Sequence, residues 1–539
     1  MAHKIPYNFL RNNWWITTLI SLSAAGTVLG VWGFSQQTPH LSNTLYETFR
    51  LFFLNFSFKE WEMTWQLQWA RWLIFAALMW LTFRLFFEIT ATQFLKNVSI
   101  ALFYRNHTII CGVNRIAISL IEKYQHERII ILTHESNRYA QLLKTKGIKT
   151  VIGDFTDQNL WKRAKLTKAS KLYAVIDNDK MNVEITQSVF SFLEKTNRKE
   201  ALKCFVIIKD RELKTVLEAS SLFRRKTKHF DSTLIHINEM GMEYAIATHI
   251  DKMVPISIKT SPRILLIGLT EKTEMALLHL AHCLTMQREP FTFTIVEKSL
   301  KKIRSFQKRY HFLHDFAAIT IVPEIEHEKE FDSVLVCTDN QIEAMKQADS
   351  IRYLFGEKCK DKNIVVFCNE ADTFNDVLKE EWEAKKIFPV NLFKQITDYV
   401  FALDKNIEER AKETHHFWSA LYGQHVDWDE MSAHFKQSNR NQILDNCLRI
   451  YIARGQKFED FYHCLISFSD NEKETLAMME NRRWRIEKLD NGWVYGPRNN
   501  VFKRHDCLVP WEQLSPEQHA KDYDAINLMI RLLHNQGKG

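Results

Sequence analysis

Residues 107–120 read HTIICGVNRIAISL, an apolar run that ends in a glycine and passes directly into a segment with helical spacing. The β-branched residues of the run favour a strand. Gly112, Asn114 and Ala117 then occupy the three positions of a G-x-G-x-x-G/A turn, with Arg115 inside it, where small residues let a helix N-terminus approach a pyrophosphate. The pattern repeats outward as RIIILT (128–133), VIGD (151–154) and KLYAVID (171–177). A second series opens with PRILLIG (262–268) and continues through FTFTIVEK (291–298), ITIV (319–322), DSVLVCTDN (332–340) and NIVVFCNE (363–370). Short β-branched runs alternating with helical segments are the pattern of a parallel sheet wound on both faces.

The fold expected is two transmembrane α-helices followed by α/β, with two Rossmann-like doubly wound domains in tandem and, as the resemblance carried by the C-terminal motifs below implies, a small, mostly helical domain. A chain of 539 residues is long enough for several cores. Gly 15, Pro 10 and 46% hydrophobic residues exclude collagen-like and low-complexity classes. The net charge of +8 is spread along the chain with no basic arm, which argues against DNA or RNA as partner and suits an anionic membrane surface. Nine Cys with no CxxC pair imply buried reduced thiols, without a disulfide framework or metal site.

Mean hydropathy of -0.27 hides an unusual N-terminus. WWITTLISLSAAGTVLGVWGF (14–34) has no charge and has Trp near both ends, as a spanning helix does. The segment from Trp69 to Phe87 is apolar except for Arg71 and Arg84, which can snorkel from its ends. Lys4 and Arg11 before the first span, against Arg50 and Lys59 in the connection and Lys96 and Arg105 after the second, place both termini in the cytoplasm. Between the spans, Leu41 to Ser57 reads as an interfacial helix or as a re-entrant one. With no Gly between Gly33 and Gly112, a carbonyl-lined potassium filter is excluded.

GDFT (153–156), Ala164, Ala169 and DNDKMN (177–182), following the glycine turn, resemble the RCK (TrkA-N) domains that regulate potassium channels and transporters. The resemblance spans about residues 105 to 250. It implies a nucleotide cleft lined by Gly112, Asn114, Arg115, Ala117, Thr133, Asp154, Asp179 and Asn182. Thr133 stands where the family has a ribose-binding acid, with Glu135 two residues on, so the acceptor pair for a ribose diol is lost. In the second series Glu297 is at the acid position, but Thr270 and Thr273 stand where glycines are needed. Its expected role is structural pairing.

After a charged linker, Asp404 to His416, four clusters follow: SNRNQ (438–442), ENRRW (480–484), GWVYG (492–496) and HDCLVPW (505–511), then Asp522. These resemble the RyR domain of ryanodine receptors and single-copy bacterial proteins, with Asn481 in place of a frequent His and Asp506 in place of Pro. Glycines flanking Trp-Val-Tyr predict a tight hairpin with Trp493 and Tyr495 on one side. Asn439, Arg440, Arg483, Trp493, Tyr495 and His505 are the candidate ligand contacts, able to stack a base and pair a phosphate. Trp484 and Trp511 are expected in the core.

The domains expected are 1–100 (membrane), 101–255 and 256–403 (RCK-like), and 404–539 (linker helix and RyR). No HExxH, G-x-S-x-G or Walker loop occurs, so no enzyme is expected and an NAD-dependent oxidoreductase is the weakest reading. The resemblances together imply a sensor in a bacterial cell membrane, a homo-oligomer (tetramer or dimer) that binds a small nucleotide or nucleotide-derived messenger. Its two-helix part is either a gated pore, including an antiviral membrane-permeabilising effector, or a passive anchor for a subunit regulating a separate cation transporter.

Overall fold

The computed structural model describes residues 14–55, 63–86, 100, 103–134, 143, 148–224, 226–255, 261–325, 330–355, 361–369, 372–423, 426–456 and 467–534. Glu135 and the orienting residues Lys4, Arg11, Lys59 and Lys96 lie outside them. The chain divides into two units, Met1–Phe103 and Tyr104–Gly539.

In the first unit, helices Trp14–Ser35 and Trp65–Phe86 are long and apolar enough to cross a bilayer. They pack through small residues: a Cβ added at Gly26 would lie 2.7 Å from Ile74 and one at Gly33 would lie 2.6 Å from Leu67. The second helix starts four residues before Trp69, because the polar Gln66 is itself buried in this contact. The intervening helix Leu41–Arg50 buries Thr44 and Thr48 and leaves Leu41, Leu45 and Phe49 exposed, an amphipathic division suited to a bilayer interface.

The second unit contains two six-stranded parallel sheets. The first comprises β1 (His107–Cys111), β2 (Ile129–Thr133), β3 (Lys149–Ile152), β4 (Ala169–Ala174), β5 (Leu202–Ile208) and β6 (Phe230–His236), in the order 3-2-1-4-5-6. Ile109 faces Ile130 on one side and Leu172 on the other. The second comprises β7 (Arg263–Ile267), β8 (Thr292–Val296), β9 (Ala318–Val322), β10 (Ser333–Val336), β11 (Asn363–Cys368) and β12 (Ile387–Asn391), and repeats that order as 9-8-7-10-11-12. Both are Rossmann-like, with the order reversing beside β1 and β7.

Helix Ile237–Met253 leaves the first sheet and packs against helices of all the following parts, which explains why eleven of its residues are buried. The segment Asp404 to His416, expected as a charged helical linker, lies inside one continuous helical stretch. Helix Leu392–Ala402 runs through a π turn, Leu403–Ile407, into helix Glu408–Tyr422 without a break. The turn aims Asp404 at the start of the first sheet, where it pairs with Lys171 (2.8 Å) and Lys203 (3.2 Å).

The C-terminal part is mostly helical, built on Ala433–Arg454, Asp470–Asp490 and Pro516–His534. It meets both Rossmann-like units at a small polar cavity of about 110 Å³. Arg211, Lys214, Glu239 and Glu243 enter it from the first unit, His279 and His282 from the second, and Asp445, Arg483, Glu487 and Asp490 from the C-terminal helices. The charges pair across the boundaries: Arg211 reaches Asp490 at 2.5 Å and His282 reaches Asp445 at 2.6 Å. Burial raises the carboxyl of Glu239, but Lys214 and Arg211 override it and hold the group down at about 2.

Burial also holds the His279 imidazole down at about 4, against about 6.5 in an unfolded chain. Between these values the unfolded chain binds a proton that the folded one refuses. The contribution of neutral His279 is therefore complete above about pH 6.5 and is lost as the pH falls towards 4. Melting temperatures measured across this window should decline with acidification, with at most about 1.4 kcal/mol per pH unit arising from this one group. The slope should flatten in His279→Gln.

Candidate functional site

The glycine turn of the first sheet has the expected backbone. Gly112 has φ +113°, and a Cβ there would press on Ile176. Asn114 caps the following helix by accepting from the Ala117 N–H (3.0 Å), and its amide donates to the Val175 carbonyl. The other expected cleft residues are engaged within the chain. Asp179 accepts from the N–H groups of Lys209 (3.0 Å) and Asp210 (2.9 Å). Asn182 is fully buried; it accepts from the Ile176 N–H and donates to the carbonyls of Ile176 and Ile207. Thr133 is 6% exposed, Arg115 is exposed, and Asp154 turns back onto the Thr156 N–H at 2.9 Å.

The corresponding cleft of the second sheet is closed by its own side chains. Thr270 and Thr273 form a capping box, and the Lys272 ammonium donates to the carbonyls of Thr338 (3.0 Å) and Phe367 (3.3 Å). A lysine thus lies where strand ends in such sheets normally face a ligand. Glu297, at the position of a ribose acid, instead accepts from the N–H groups of Leu269 and Ser299.

A larger cavity, about 750 Å³, opens in the C-terminal part between the helices and the end of helix Glu408–Tyr422. This volume suits a nucleotide-sized molecule. Its walls include the rings of Trp418, Tyr422, Trp484, Trp493 and His505, and the cations Lys488, Arg498 and Lys521. Trp418 stacks on Tyr422 with centroids 5.4 Å apart, Trp484 meets His505 edge-on at 4.8 Å, and Lys488 lies over Trp493 at 4.8 Å. Burial, assisted by the Arg498 charge, holds His505 down at about 4, so the ring is neutral at physiological pH.

Of the residues expected to contact a ligand, Asn439, Arg483, Trp493 and His505 line this cavity. Arg440 does not: it is 5% exposed and pairs with Glu408 at 2.7 Å, on another side of its helix. Tyr495 is 67% exposed and outside the cavity, whereas Trp493 is 6% exposed. The GWVYG segment is not a tight hairpin. Val494–Tyr495 pairs in parallel with Arg504–His505, which requires an intervening loop, and Trp493 lies before this short strand. Trp511 is buried and stacked on His519, as a core residue is, but Trp484 is half-buried and forms cavity wall. The sequence reading missed Trp418 and Tyr422, in a helix with no motif, and Lys488, which lies between the ENRRW and GWVYG motifs but belongs to neither.

Arg483 borders both this cavity and the smaller junction cavity. It is not a solvent-facing contact, being 8% exposed. Its guanidinium holds Glu480 through Nε and Nη2 (2.9 Å each) and Glu487 through Nη1 (2.6 Å). Glu480 also accepts from the fully buried Arg449, which pairs with Asp445 at 2.5 Å. An unbroken line of ion pairs therefore runs from the cavity wall to Asp445, which is hydrogen-bonded to His282 of the second Rossmann-like unit. Among the described residues, His505, Asp506 and Cys507 offer ligand atoms within 4.8 Å of one another, but His505 Nδ1 already accepts the Cys507 N–H.

These assignments separate by mutation. Asn182→Ala leaves an N–H and two carbonyls unpaired at about 1–3 kcal/mol each, so it should cost roughly 3 kcal/mol or more. Asp154→Ala, on the surface, should leave stability close to that of the wild type. Chemical denaturation of both variants checks this.

Comparison with known proteins agrees with these parts of the chain. The model of the TrkA-N domain matches residues 108–222 and that of the RyR domain matches residues 466–538. A stretch of 86 residues is 35% identical to potassium channel protein 1 of Methanocaldococcus jannaschii, covering 15% of this chain and 26% of that protein. The chain thus spans about a quarter of the length of this curated relative. Among solved structures, the GsuK channel is 14% identical with a TM-score of 0.39, covering 74% of this chain and 98% of the other. GsuK bound to ADP is 13% identical with a TM-score of 0.36 over 74% and 99% of the two chains, and GsuK bound to NAD is 13% identical with 0.37 over 75% and 83%. The chain thus combines two apolar helices, two parallel Rossmann-like sheets, a segment within the first sheet unit that matches the TrkA-N model and a C-terminal segment that matches the RyR model.

Proposed function

We propose that the protein is a membrane-anchored ligand sensor of the kind that regulates an ion channel or transporter. Residues 1–100 form its membrane part, 101–255 and 256–403 its RCK-like units, and 404–539 its ligand-binding module. The observation that carries the reading is the 750 Å³ cavity sharing Arg483 with the junction of all three cytoplasmic parts. Ring faces, cations and a volume of this size suit a nucleotide or nucleotide-derived ligand. A ligand that redistributes the Glu480–Arg483–Glu487 pairs alters the contacts holding the Rossmann-like units, which gives the differential affinity a switch requires. The TrkA-N match and the short potassium-channel relative support regulation of ion flow.

One chain contributes two spans and cannot enclose a pore, so a pore reading needs a homo-oligomer, a tetramer or a dimer. The lack of any Gly between Gly33 and Gly112 favours keeping the second reading, in which the helices anchor a subunit that regulates a separate cation transporter. The antiviral setting finds no support in the comparisons and forms no part of the proposal. Catalysis forms no part of it either, since the cleft carboxamide and carboxylates are engaged with backbone groups. Residence in a cell membrane with both termini cytoplasmic rests on the charge pattern around the spans.

The test uses the full chain in mild detergent, melted in the presence of ATP, ADP, NAD, ADP-ribose and cyclic dinucleotides. At least one should raise the melting temperature, by an amount equivalent to about 2.7 kcal/mol at a hundredfold excess over Kd. Trp484→Ala and Lys488→Ala should abolish the shift, and Arg115→Glu in the first cleft should leave it intact. No shift with any compound, or a shift that depends on Arg115 and ignores Trp484, would refute the sensor site.

A further inference from the structure

One wall of the C-terminal cavity carries two polar side chains from different helices, Asn481 and Asp522. Asn481 is 3% exposed, and its Nδ2 donates to Asp522 Oδ2 at 3.2 Å. Its Oδ1 is buried and has no hydrogen-bond partner. A buried carbonyl left unpaired is costly, so such an atom at a cavity wall marks a place for an incoming donor.

Burial raises the Asp522 carboxyl to about 8, with the Glu480 carboxylate acting in the same direction. Arg449 and Arg483 oppose this from the neighbouring helices. Lys521 and Asp524 flank the group on its own helix, and Tyr422 faces it from the linker helix while donating to Asp524 at 2.6 Å. At neutral pH the group is a carboxylic acid. Because Oδ2 accepts from Asn481, the proton belongs on Oδ1, where it is a donor.

Asn481, Trp484 and Lys488 follow one another at i, i+3 and i+7 on one helix, and all three line the cavity. At about 1.5 Å per residue they span roughly 10 Å, the reach from the edge of a nucleobase to a phosphate. The order along the helix is an amide, a ring face and an ammonium group.

Resting on the sensor reading above, we propose that Asn481 and Asp522 are the specificity-determining pair of the cavity. Asn481 Oδ1 accepts and the Asp522 O–H donates, so together they select the adjacent donor and acceptor of the adenine 6-amino and N1 edge. An ionised Asp522 beside Asn481 Oδ1 is a row of acceptors instead, which fits the two neighbouring donors of the guanine edge. The pair makes adenine recognition fall away as the carboxyl ionises.

Titration calorimetry of the full chain in detergent, from pH 6.5 to 9.5, tests this with adenosine, ATP, GTP and purine riboside triphosphate, which lacks the 6-amino group. Adenosine is included because burial also lowers the pKa of Lys488, which would impose its own pH dependence on phosphate binding. Adenosine and ATP should bind the wild type, with adenosine affinity dropping up to tenfold per pH unit above about 8. Asp522→Asn, which keeps a donor and removes the ionisation, should retain adenosine binding with a flat profile. Asn481→Leu should weaken ATP at least tenfold and leave purine riboside triphosphate unchanged. An identical pH profile in the wild type and Asp522→Asn, or equal binding of ATP and purine riboside triphosphate, overturns the pairing. Trp484-dependent binding of GTP without adenosine overturns it while sparing the sensor reading, and absence of binding by every probe removes both.

Discussion

Glu480 accepts from two guanidinium groups, Arg449 and Arg483, in a place where water reaches none of the three to any extent. Buried ions are tolerated only when each is answered, and removing one partner of such a set typically costs about 3–5 kcal/mol. The set is paired within the C-terminal helices, and two of the acids beside it reach outward to the Rossmann-like units. Arg449 leans on Asp445, Asp445 on His282, Arg483 on Glu487, and the neighbouring Asp490 on Arg211. Asp445 and Asp490 thus tie the C-terminal part to both Rossmann-like units, through His282 and Arg211. The site that can receive a ligand is adjacent to the contacts that hold the assembly together.

Much of the fold was legible because it follows from local periodicity. Runs such as IIILT (129–133) and RILLI (263–267) are buried on nearly every residue, as strands of a parallel sheet covered on both faces must be. Helix boundaries were less legible where a polar residue is buried by tertiary contact, as Gln66 is at the start of the second span. The partner of Asp404 was not legible for a similar reason: its carboxylate is held by Lys171, more than two hundred residues earlier.

The candidate site was only partly legible. Motif residues do converge, but Arg440 and Arg483 look alike in sequence and have different partners, one answering Glu408 and the other Glu480 and Glu487. The partners of Arg483 sit at i−3 and i+4 on its own helix and could be read from spacing, whereas Glu408 reaches Arg440 from another helix and could not. In the first cleft, the substitution of Thr133 for an acid was readable, and the engagement of Asp179 and Asn182 with backbone groups was not. These polar side chains tie loop to strand at the mouth of the sheet, a role that composition alone cannot distinguish from ligand contact.

The π turn at Leu403–Ile407 lies in the one helix that joins the second Rossmann-like unit to the RyR part. Such a turn absorbs one residue beyond the α count, so the helix faces on either side keep the phase they would have without it. Relaxing those five residues to α geometry at constant length would swing everything downstream by about 100° about the helix axis. Excising one residue together with the relaxation would leave the two faces in phase while withdrawing the carboxylate that Lys171 and Lys203 grip. The helix is thus a shaft whose angular setting is stored in a single residue, and the torsional alignment of the RyR cavity with the sheets depends on that count.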